Sequence, residues 1–415
     1  MKLSEELQWR GFVNQMTYKD INALDAEPIT FYWGVDPSAP SMTIGNLAAA
    51  MMVRHFIDHG HKAILLVGGA TGMIGDPDGK AEERTLKSLD EIAANKAGIA
   101  MQYSRVFGGQ EFEVVDNFDW FKGMGYLEFL RDVGKHVPMR QMLGREFVQS
   151  RLGEDGAGIS YAEFSYALIQ GYDFLWLSRN KGVTLQVCGA DQWGNCIAGV
   201  ELIRRIQGQE AHVYSVPLVV NKATGKKFGK TEDGAVWLDE KLTSVYKFYQ
   251  FWLNVDDEGA IDYMKVYTLL SHSEIMDIQA QFNANRSGRL AQKTLAYEVT
   301  KLVHGQERAD SVKRISETLF GGGDYRKLRA ADFAELQGEL PCAGGAEVSI
   351  ADLLVANGLA ASKSEARRFL EGNAVYINGT QISLSKTTIE ANDAIDGYVV
   401  IRRGKNQQML YKIGL

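Results

Sequence analysis

Short apolar runs alternate with amphipathic stretches between residues 29 and 217 of this chain. Apolar runs bounded by turn residues predict buried strands, whereas apolar residues that recur every three or four positions predict helices. Strands that alternate with helices indicate an α/β fold with a parallel sheet and right-handed crossovers. The predicted strands are residues 29–35, 63–68, 113–116, 183–188 and 213–219, and the predicted helices are residues 45–59, 89–106, 161–177 and 191–206.

The second half of the chain has a different pattern. Residues 242–320 carry long amphipathic stretches with few glycines, which predict a helical domain that ends at the three glycines 321–323. The following residues, with Pro341 and paired glycines, are predicted to form a linker. Two short helices and an Asn378-Gly379 turn between apolar runs then predict a small domain with a β-hairpin. We therefore expect domain boundaries that separate residues 1–231, 232–325, 326–346 and 347–415.

Composition limits the class of protein. The chain has 415 residues, too many for one ordinary core, and is 45% hydrophobic and 23% charged, as is typical of a soluble globular protein. The net charge of -7 means that any RNA-binding surface has to be a local basic patch. The sparse cysteines favour a reducing compartment, and Cys188 and Cys196 lack metal-ligand spacing, so both are expected as buried apolar filler.

The N-terminus has no apolar core typical of a signal peptide, and no apolar run reaches the roughly 18 residues of a membrane span. We therefore expect a cytoplasmic protein with no membrane partner.

Three glycine-bearing segments, residues 34–36, 68–72 and 189–192, each follow a predicted strand. Ligands of parallel sheets bind outside the carboxyl ends of the strands, so these segments are candidate ligand contacts. The middle segment is not a phosphate-binding P-loop, because Ile74 and Ala81 stand where that motif requires Gly and Ser or Thr. A dinucleotide site is also a poor interpretation, because no strand is followed by G-x-G-x-x-G.

Two lysines, Lys227 and Lys230, lie three residues apart in a glycine-bearing loop that follows an apolar strand. Near the N-terminus, a second segment leaves a strand at Gly34, and Ile44-Gly45-Asn46 opens a helix. Lysines and helix N-termini both stabilise the negative charge of phosphates. Together they predict a nucleotide-using enzyme in which charge neutralisation carries much of the catalysis.

These two segments resemble the signature sequences of class I aminoacyl-tRNA synthetases. Lys-Phe-Gly-Lys-Thr at residues 227–231 resembles the KMSKS loop, and residues 43–46 stand in the place of the HIGH motif. The resemblance is closest to the bacterial tyrosyl-tRNA synthetases and includes residues 9–11, 68–80, 164–174, 189–195 and 348–383. It implies a doubly wound, Rossmann-like catalytic domain, then an α-helical anticodon-side domain and a small α+β, S4-like RNA-binding domain.

Polar side chains share one face of the helix predicted at residues 161–177, at positions 166, 170 and 173. Polar groups on a buried face need partners, and spacing alone leaves a solvated or interface face as the alternative. The resemblance implies an amino-acid pocket instead. In that pocket the α-ammonium is bound by Asp76, Tyr166 and Gln170, the phenol hydroxyl by Tyr32 and Asp173, and the carboxylate by Gln192.

The resemblance also implies the contacts of the nucleotide. Contacts with ATP are expected from Gly34, Asp36, Ser38, Gly45, Gly189, Asp191 and Lys230. The catalytic positions around the pyrophosphate are expected to be Thr43, Asn46, Lys80, Arg84, Lys227, Lys230 and Thr231. Some of these residue types have simpler interpretations, since Asp76 is also a turn former before a proline, Asp191 a helix N-cap, and Lys80 and Arg84 surface charges.

The chain departs from the family pattern at its first signature. Thr43 and Asn46 stand where two histidines are usual, and Trp33 stands where a small residue is typical. Threonine replaces an imidazole donor by one hydroxyl. Our sequence-based hypothesis is that Thr43 still donates to a phosphate of ATP.

The C-terminal segment resembles an S4-type RNA-binding domain. Lys363 and Arg367 lie on one helix face with Arg368 beside them, and from Pro341 onward eight Lys or Arg stand against seven Asp or Glu. Such cations suit phosphate contacts that position an RNA. A solvated helix with capping charges is the alternative on charge alone.

The resemblance implies an enzyme that forms tyrosyl-AMP from L-tyrosine and ATP and then transfers tyrosine to the 3′ end of tRNA(Tyr). ATP with Mg²⁺ is expected as substrate, with no protein-bound metal, and a homodimer is expected with an interface within residues 127–172. Two alternatives remain at this stage: a tryptophanyl-tRNA synthetase, which Tyr32 and Asp173 argue against, and a non-catalytic RNA-binding paralogue, which Thr43 keeps open.

Overall fold

The structure is a computed structural model that describes residues 1–77, 87–153, 156, 158–226, 228–231, 234–404 and 407–414. At residues 141, 146, 147, 230 and 231 only the backbone is described. The chain forms two compact units, one of Met1–Thr243 with Val255–Leu295 and one of Ser244–Asn254 with Ala296–Leu415.

The first unit is built on a six-stranded sheet, counted over the described residues, in the order β1-β6-β5-β2-β3-β4. Neighbours from β6 to β4 run parallel, and the edge strand β1 runs antiparallel to β6. The strands are β1 (Gln15–Met16), β2 (Thr30–Val35), β3 (Lys62–Val67), β4 (Phe112–Asp116), β5 (Leu185–Gly189) and β6 (His212–Val216). The predicted α/β fold with a parallel sheet is therefore confirmed, and the predicted strands are met within a few residues.

Helices of the first unit lie before, between and after the strands in sequence. They are α1 (Leu3–Arg10), α2 (Ile44–Asp58), α3 (Thr71–Ile74), α4 (Leu89–Val106), α5 (Phe118–Phe121), α6 (Tyr126–Asp132), α7 (Met139–Leu143), α8 (Glu146–Leu152), α9 (Tyr161–Lys181), α10 (Trp193–Gln207), α12 (Ala260–Tyr267) and α13 (His272–Ala284). Capping explains where the two longest of them begin. Ser88 and Ser160 accept hydrogen bonds from the backbone of Glu91 and Glu163, whose carboxylates reach back to the two caps.

Helices cover both faces of the sheet because side chains alternate along each strand. On one face, Tyr32 and Leu66 join a buried cluster with Phe174 of α9. On the other face, Phe31 packs against Phe56 of α2 with ring centroids 5.1 Å apart, and Trp33 packs against Tyr103 of α4 at 5.7 Å. This two-sided arrangement is the doubly wound architecture that the resemblance implied.

The second unit contains α11 (Val245–Leu253), α15 (Gln306–Phe320), α16 (Ala330–Gln337), α17 (Ile350–Ala356) and α18 (Lys363–Glu371), and α14 (Leu290–His304) contains the boundary between the units. Its main sheet has the order β12-β11-β14-β15-β9. The strands of the second unit are β9 (Cys342–Gly345), β10 (Val348–Ser349), β11 (Val375–Ile377), β12 (Thr380–Ile382), β13 (Thr388–Ile389), β14 (Tyr398–Arg403) and β15 (Gln407–Ile413), whereas β7 (Lys230–Thr231) and β8 (Gly234–Ala235) lie in the first unit.

The predicted hairpin is present. Val375 to Ile377 pairs with Thr380 to Ile382, and Asn378 and Gly379 connect them with φ of 45° and 79°. Two consecutive positive φ angles are the geometry that favours an Asn-Gly turn between twisted strands.

The segment 326–346 is structured where the sequence predicted a linker. Helix α16 packs Phe333 and Leu336 into a buried cluster with Tyr398 and Leu410, and β9 pairs in parallel with β15. Asp332, fully buried, accepts from the Arg314 guanidinium at 2.7 Å at both of its oxygens. The glycines and proline of this segment therefore mark turns between packed elements. The boundaries at 231, 325 and 346 remain predictions.

None of the helices in the described part of the chain has the length and apolarity that a membrane crossing requires.

Candidate active site

A cavity of about 640 Å³ opens at the carboxyl ends of β2 and β5. At this point the strand order reverses, and such switch points form the ligand crevice of open α/β sheets. The cavity brings together every sequence-predicted tyrosine and ATP contact whose side chain is described: Tyr32, Gly34, Asp36, Ser38, Thr43, Gly45, Asn46, Asp76, Tyr166, Gln170, Asp173, Gly189, Asp191 and Gln192. Lys80, Arg84 and Lys227 lie outside the described residues, as do the side chains of Lys230 and Thr231.

Asp173 is a buried carboxyl group in this cavity, only 1% exposed. Burial raises its pKa well above the ordinary value, and hydrogen bonds from Asn117 and Trp120 oppose that shift. Asn117 Nδ2 donates to one carboxyl oxygen at 3.0 Å, and Trp120 Nε1 donates to the other at 2.9 Å. A buried carboxyl group whose oxygens are held by two donors is suited to accept a hydrogen bond from a ligand hydroxyl.

Tyr32 lines the same cavity and is 1% exposed. Its hydroxyl is buried and makes no hydrogen bond within the part of the chain that the structure describes. Burial raises the pKa of this phenol, so the hydroxyl keeps its proton. A buried hydroxyl without a partner is costly in the free protein, and a polar ligand group would satisfy it.

Sequence reasoning missed Asn117 and Trp120. Both follow β4, whose carboxyl end lies at the sheet edge where ligands bind, so their position after a strand was the available signal. Trp120 stacks on Trp176 with ring centroids 4.2 Å apart, which fixes the indole that donates to Asp173.

Tyr166 and Asp36 are joined across the cavity. The Tyr166 hydroxyl donates to Asp36 Oδ2 at 2.6 Å, and Thr71 Oγ1 donates to Asp36 Oδ1 at 2.5 Å. Burial first and the Asp36 carboxylate second raise the pKa of Tyr166, so this phenol also stays protonated. Because the Tyr166 O–H is engaged in the hydrogen bond to Asp36, the Tyr166 oxygen is left as an acceptor for a ligand cation.

Gly68 makes this arrangement possible. A Cβ on Gly68 would lie 2.0 Å from Asp36 Oδ1 and 2.2 Å from Thr71 Oγ1. Glycine is therefore required because the backbone at the end of β3 passes directly beside the Asp36 carboxylate.

A second cluster of polar side chains surrounds Gln192, the residue that precedes α10. Its Nε2 donates to Asp76 Oδ2 at 2.6 Å, and its Oε1 accepts from Asn195 Nδ2 at 3.2 Å. Nearby, the Gln170 Oε1 atom is buried and without a partner among the described residues. The cavity thus places a carboxylate, a phenol oxygen and an amide oxygen where a ligand ammonium needs acceptors.

At the start of α2, Thr43 and Asn46 cap the helix. Thr43 Oγ1 donates to Asn46 Oδ1 at 3.0 Å, and Thr43 N donates to the same oxygen at 2.9 Å. The hydroxyl proton of Thr43 is therefore used inside the cap in this structure. Asn46 Nδ2 is left as the donor that this pair offers to the cavity, which differs from the hypothesis that Thr43 itself donates to phosphate.

Gly229, in the described part of the lysine loop, lies against the same helix end. Gly229 has φ of +88°, and a Cβ there would lie 2.5 Å from Ile44 of α2. Phe228 stacks on Tyr263 at 4.2 Å. The backbone around residues 228–231 is thus packed beside the helix N-terminus, where the sequence placed the phosphates.

Within the ranges that the structure describes, no group of three His, Cys, Asp or Glu side chains is suited to hold a metal ion. Cys188 and Cys196 are buried free thiols, as predicted.

Comparison with known proteins gives the family. The family described as tRNA synthetases class I (W and Y) matches residues 24–321, and the tyrosine–tRNA ligase SYY-like C-terminal domain matches residues 332–411. The tyrosine–tRNA ligase of Bacillus caldotenax is 44% identical over 422 residues, covering 99% of this chain and 100% of that protein. That of Lactococcus lactis subsp. cremoris (strain SK11) is 42% identical over 420 residues, covering 99% of each.

A solved structure is also similar. The C-terminally truncated mitochondrial tyrosyl-tRNA synthetase of Aspergillus nidulans superposes with a TM-score of 0.70 at 30% identity, over 77% of this chain and 94% of that one. The fold is that of a class I tRNA synthetase of the tryptophan and tyrosine branch. Within that branch, the chain belongs to the tyrosine–tRNA ligase family.

Proposed function

We propose that this chain carries out both half-reactions of tyrosine–tRNA ligation in the cleft between β2 and β5. In the first, L-tyrosine and ATP form tyrosyl-AMP and pyrophosphate, and in the second the tyrosyl group passes to the 3′ end of tRNA(Tyr). The observation that carries the proposal is the pairing, in one cavity, of the buried Asp173 carboxyl with the unpartnered Tyr32 hydroxyl.

The two groups fit the phenol hydroxyl of tyrosine. That hydroxyl would donate to Asp173 and accept from Tyr32, so all three polar groups would be satisfied. Phenylalanine and tryptophan have no phenol hydroxyl and would leave both protein groups buried without a new partner. The site is therefore proposed to select tyrosine over tryptophan within the family branch.

The main-chain groups of tyrosine fit the other polar cluster. Asp76, Tyr166 and Gln170 would accept from the α-ammonium, and the second N–H of the Gln192 amide would donate to the carboxylate. Such positioning brings a carboxylate oxygen to the α-phosphate of ATP, and orientation of this kind lowers the barrier without a side-chain nucleophile.

ATP is proposed to lie across the strand ends toward α2. Gly34, Gly189 and Gly45 would let the backbone approach the nucleotide, with Asp36 and Asp191 near the ribose and Ser38 near the phosphates. The amino end of α2, the Asn46 amide and the lysine loop would stabilise the charge that develops on pyrophosphate. From the resemblance, Lys80, Arg84, Lys227, Lys230 and Thr231 would complete this cradle, and Mg²⁺ would enter with ATP as part of the substrate.

The tRNA is proposed to contact the cations of α18. Lys363, Arg367 and Arg368 are exposed there, and Lys363 pairs with Asp352 at 2.5 Å. Exposed cations on one helix suit phosphate contacts, which position an RNA without reading its bases.

A homodimer is proposed from the exposed apolar side chains between α6 and α9. Tyr126, Leu127, Met139 and Tyr161 are 61%, 78%, 58% and 62% exposed. Exposed apolar groups of this size in one stretch favour association with a second surface. From the family resemblance, that surface is proposed to be a second copy, and the protein is proposed to work in the cytoplasm.

Amino-acid-dependent ATP–pyrophosphate exchange tests the proposal, with tyrosine, phenylalanine and tryptophan measured in parallel. Exchange with tyrosine alone is expected. Exchange with tryptophan would overturn the role of Asp173 and Tyr32, and absence of exchange with all three would leave an RNA-binding protein without activation chemistry.

A further inference from the structure

A line of hydrogen bonds connects the candidate tyrosine site with α8. Arg145, the residue before α8, donates from Nη1 to Asn195 Oδ1 at 2.8 Å. Asn195 Nδ2 donates to Gln192 Oε1 at 3.2 Å, and Gln192 Nε2 donates to Asp76 Oδ2 at 2.6 Å. Arg145 was not among the sequence-predicted site residues.

The two ends of this line fix its direction. A guanidinium can only donate, and a carboxylate can only accept. The two amides between them, Asn195 and Gln192, must therefore both present oxygen toward Arg145 and nitrogen toward Asp76. The two end groups therefore set the orientation of both amides, which shape alone would leave ambiguous.

Burial makes the orientation matter. Asn195 is 3% exposed, so turning its amide would leave a buried donor facing the Arg145 guanidinium. Arg145 also lies close over the first turn of α10, since a Cβ on Gly194 would meet its Nη2 at 3.4 Å. The guanidinium thus lies where its hydrogen bond can fix the orientation of the Asn195 amide.

We infer that Arg145 is a positioning residue for tyrosine activation, which acts through Asn195 to keep the Gln192 amide nitrogen aimed at the tyrosine carboxylate. This inference rests on the proposed function, because the carboxylate contact of Gln192 belongs to it. Without Arg145, the Asn195 amide can turn, the Gln192 oxygen loses its donor, and the Gln192 amide can present oxygen to the carboxylate instead.

The test compares tyrosine with tyramine, which keeps the phenol and the ammonium but has no carboxylate. In Arg145→Met, the KM for tyrosine in pyrophosphate exchange is expected to rise about five- to tenfold, the effect of one misdirected neutral hydrogen bond. The inhibition constant of tyramine is expected to rise clearly less than the KM for tyrosine, because Gln192 affects the ammonium site only through Asp76, and the KM for ATP is expected to stay within about twofold. Arg145→Lys, which keeps a donor, is expected to recover part of the loss.

Two further variants separate positioning from folding. Asn195→Ala should reproduce the loss of tyrosine affinity, and the double variant with Arg145→Met should add nothing, because the two residues act in series. Arg105→Met changes an exposed arginine of α4, outside both the site and residues 127–172, and should have no effect. Native mass in solution confirms that the variants are compared in one assembly state.

Each contrary result has its own meaning. Equal weakening of tyrosine and tyramine in Arg145→Met would show a merely structural contact and overturn the inference, as would an unchanged KM for tyrosine or additive losses in the double variant. Failure of the unsubstituted protein to exchange with tyrosine would instead overturn the proposed function itself.

Discussion

The Asp173 carboxyl offers the sharpest prediction, because two named donors hold it. Trp120→Phe removes the N–H that donates to Asp173 at 2.9 Å and keeps an aromatic ring against Trp176. A hydrogen bond to a charged group contributes about 1.5–3 kcal/mol, which corresponds to a factor of roughly 10 to 150 in affinity. We expect the KM for tyrosine in pyrophosphate exchange to rise by about that factor, while the KM for ATP stays the same.

The prediction has a second readout. The Trp120 hydrogen bond opposes the rise of the Asp173 pKa that burial causes. Its loss should raise that pKa further, so the pH at which tyrosine affinity falls should move upward in Trp120→Phe. Trp176→Phe is the matched control, because it disturbs the same stacked pair without touching Asp173. Equal effects of the two substitutions, or an unchanged pH profile in Trp120→Phe, would refute the role given to the indole N–H.

Three other predictions follow from the site and the second unit. Thr43→Ala and Asn46→Ala should each slow single-turnover formation of tyrosyl-AMP by up to about 100-fold. If Thr43 acts through Asn46, the double variant should be no slower than Asn46→Ala. Additive losses in the double variant would instead indicate that Thr43 contacts phosphate directly. Because the folded-state pKa of Asp173 is raised, its contribution to stability is present below the unfolded-state pKa and is lost as the pH rises through the folded value. Thermal melts without tyrosine should lose this pH dependence in Asp173→Asn, and an identical dependence in both proteins would contradict the burial argument. Replacing Lys363, Arg367 and Arg368 by Gln should weaken aminoacylation of tRNA and flatten its salt dependence while sparing pyrophosphate exchange; a parallel loss of exchange would point to a folding defect.

The sheet and the long helices could be predicted because their signals are local. Strand β2 was expected at 29–35 and is Thr30–Val35, and α4 was expected at 89–106 and is Leu89–Val106. Each depends on periodicity and capping within a few residues, which the sequence displays directly. The position of the cleft followed from the same pattern, because ligand contacts gather where parallel strands end.

The segment 326–346 contains α16 and β9, although its composition predicted a linker. Pro341 and the paired glycines are turn formers, but turns also separate packed elements, and here they separate α16 from β9. The stability of this segment comes from distant partners. Asp332 is held by Arg314, 18 residues away, and Phe333 stacks on Tyr398 with ring centroids 5.0 Å apart. No local pattern reports a contact of that kind.

The donors to Asp173, inside the site, also could not be predicted from local sequence patterns. Asn117 and Trp120 reach Asp173 across 56 and 53 residues of sequence, so their roles depend on how the end of β4 meets α9.

The hydrogen-bond partner of Tyr166 could not be predicted from the sequence either. Tyr166 was expected at the α-ammonium together with Asp76, but its single proton goes to Asp36. A hydroxyl whose O–H is already engaged in one hydrogen bond can only accept further hydrogen bonds. Tyr166 is therefore suited to contact an ammonium and cannot donate to the tyrosine carboxylate. Residue types alone cannot rank Asp36 above Asp76 as the acceptor, because both are aspartates in loops that follow a strand of the sheet. The backbone beside Gly68 decides it, since that glycine admits the Asp36 carboxylate to the position where Tyr166 and Thr71 both reach it.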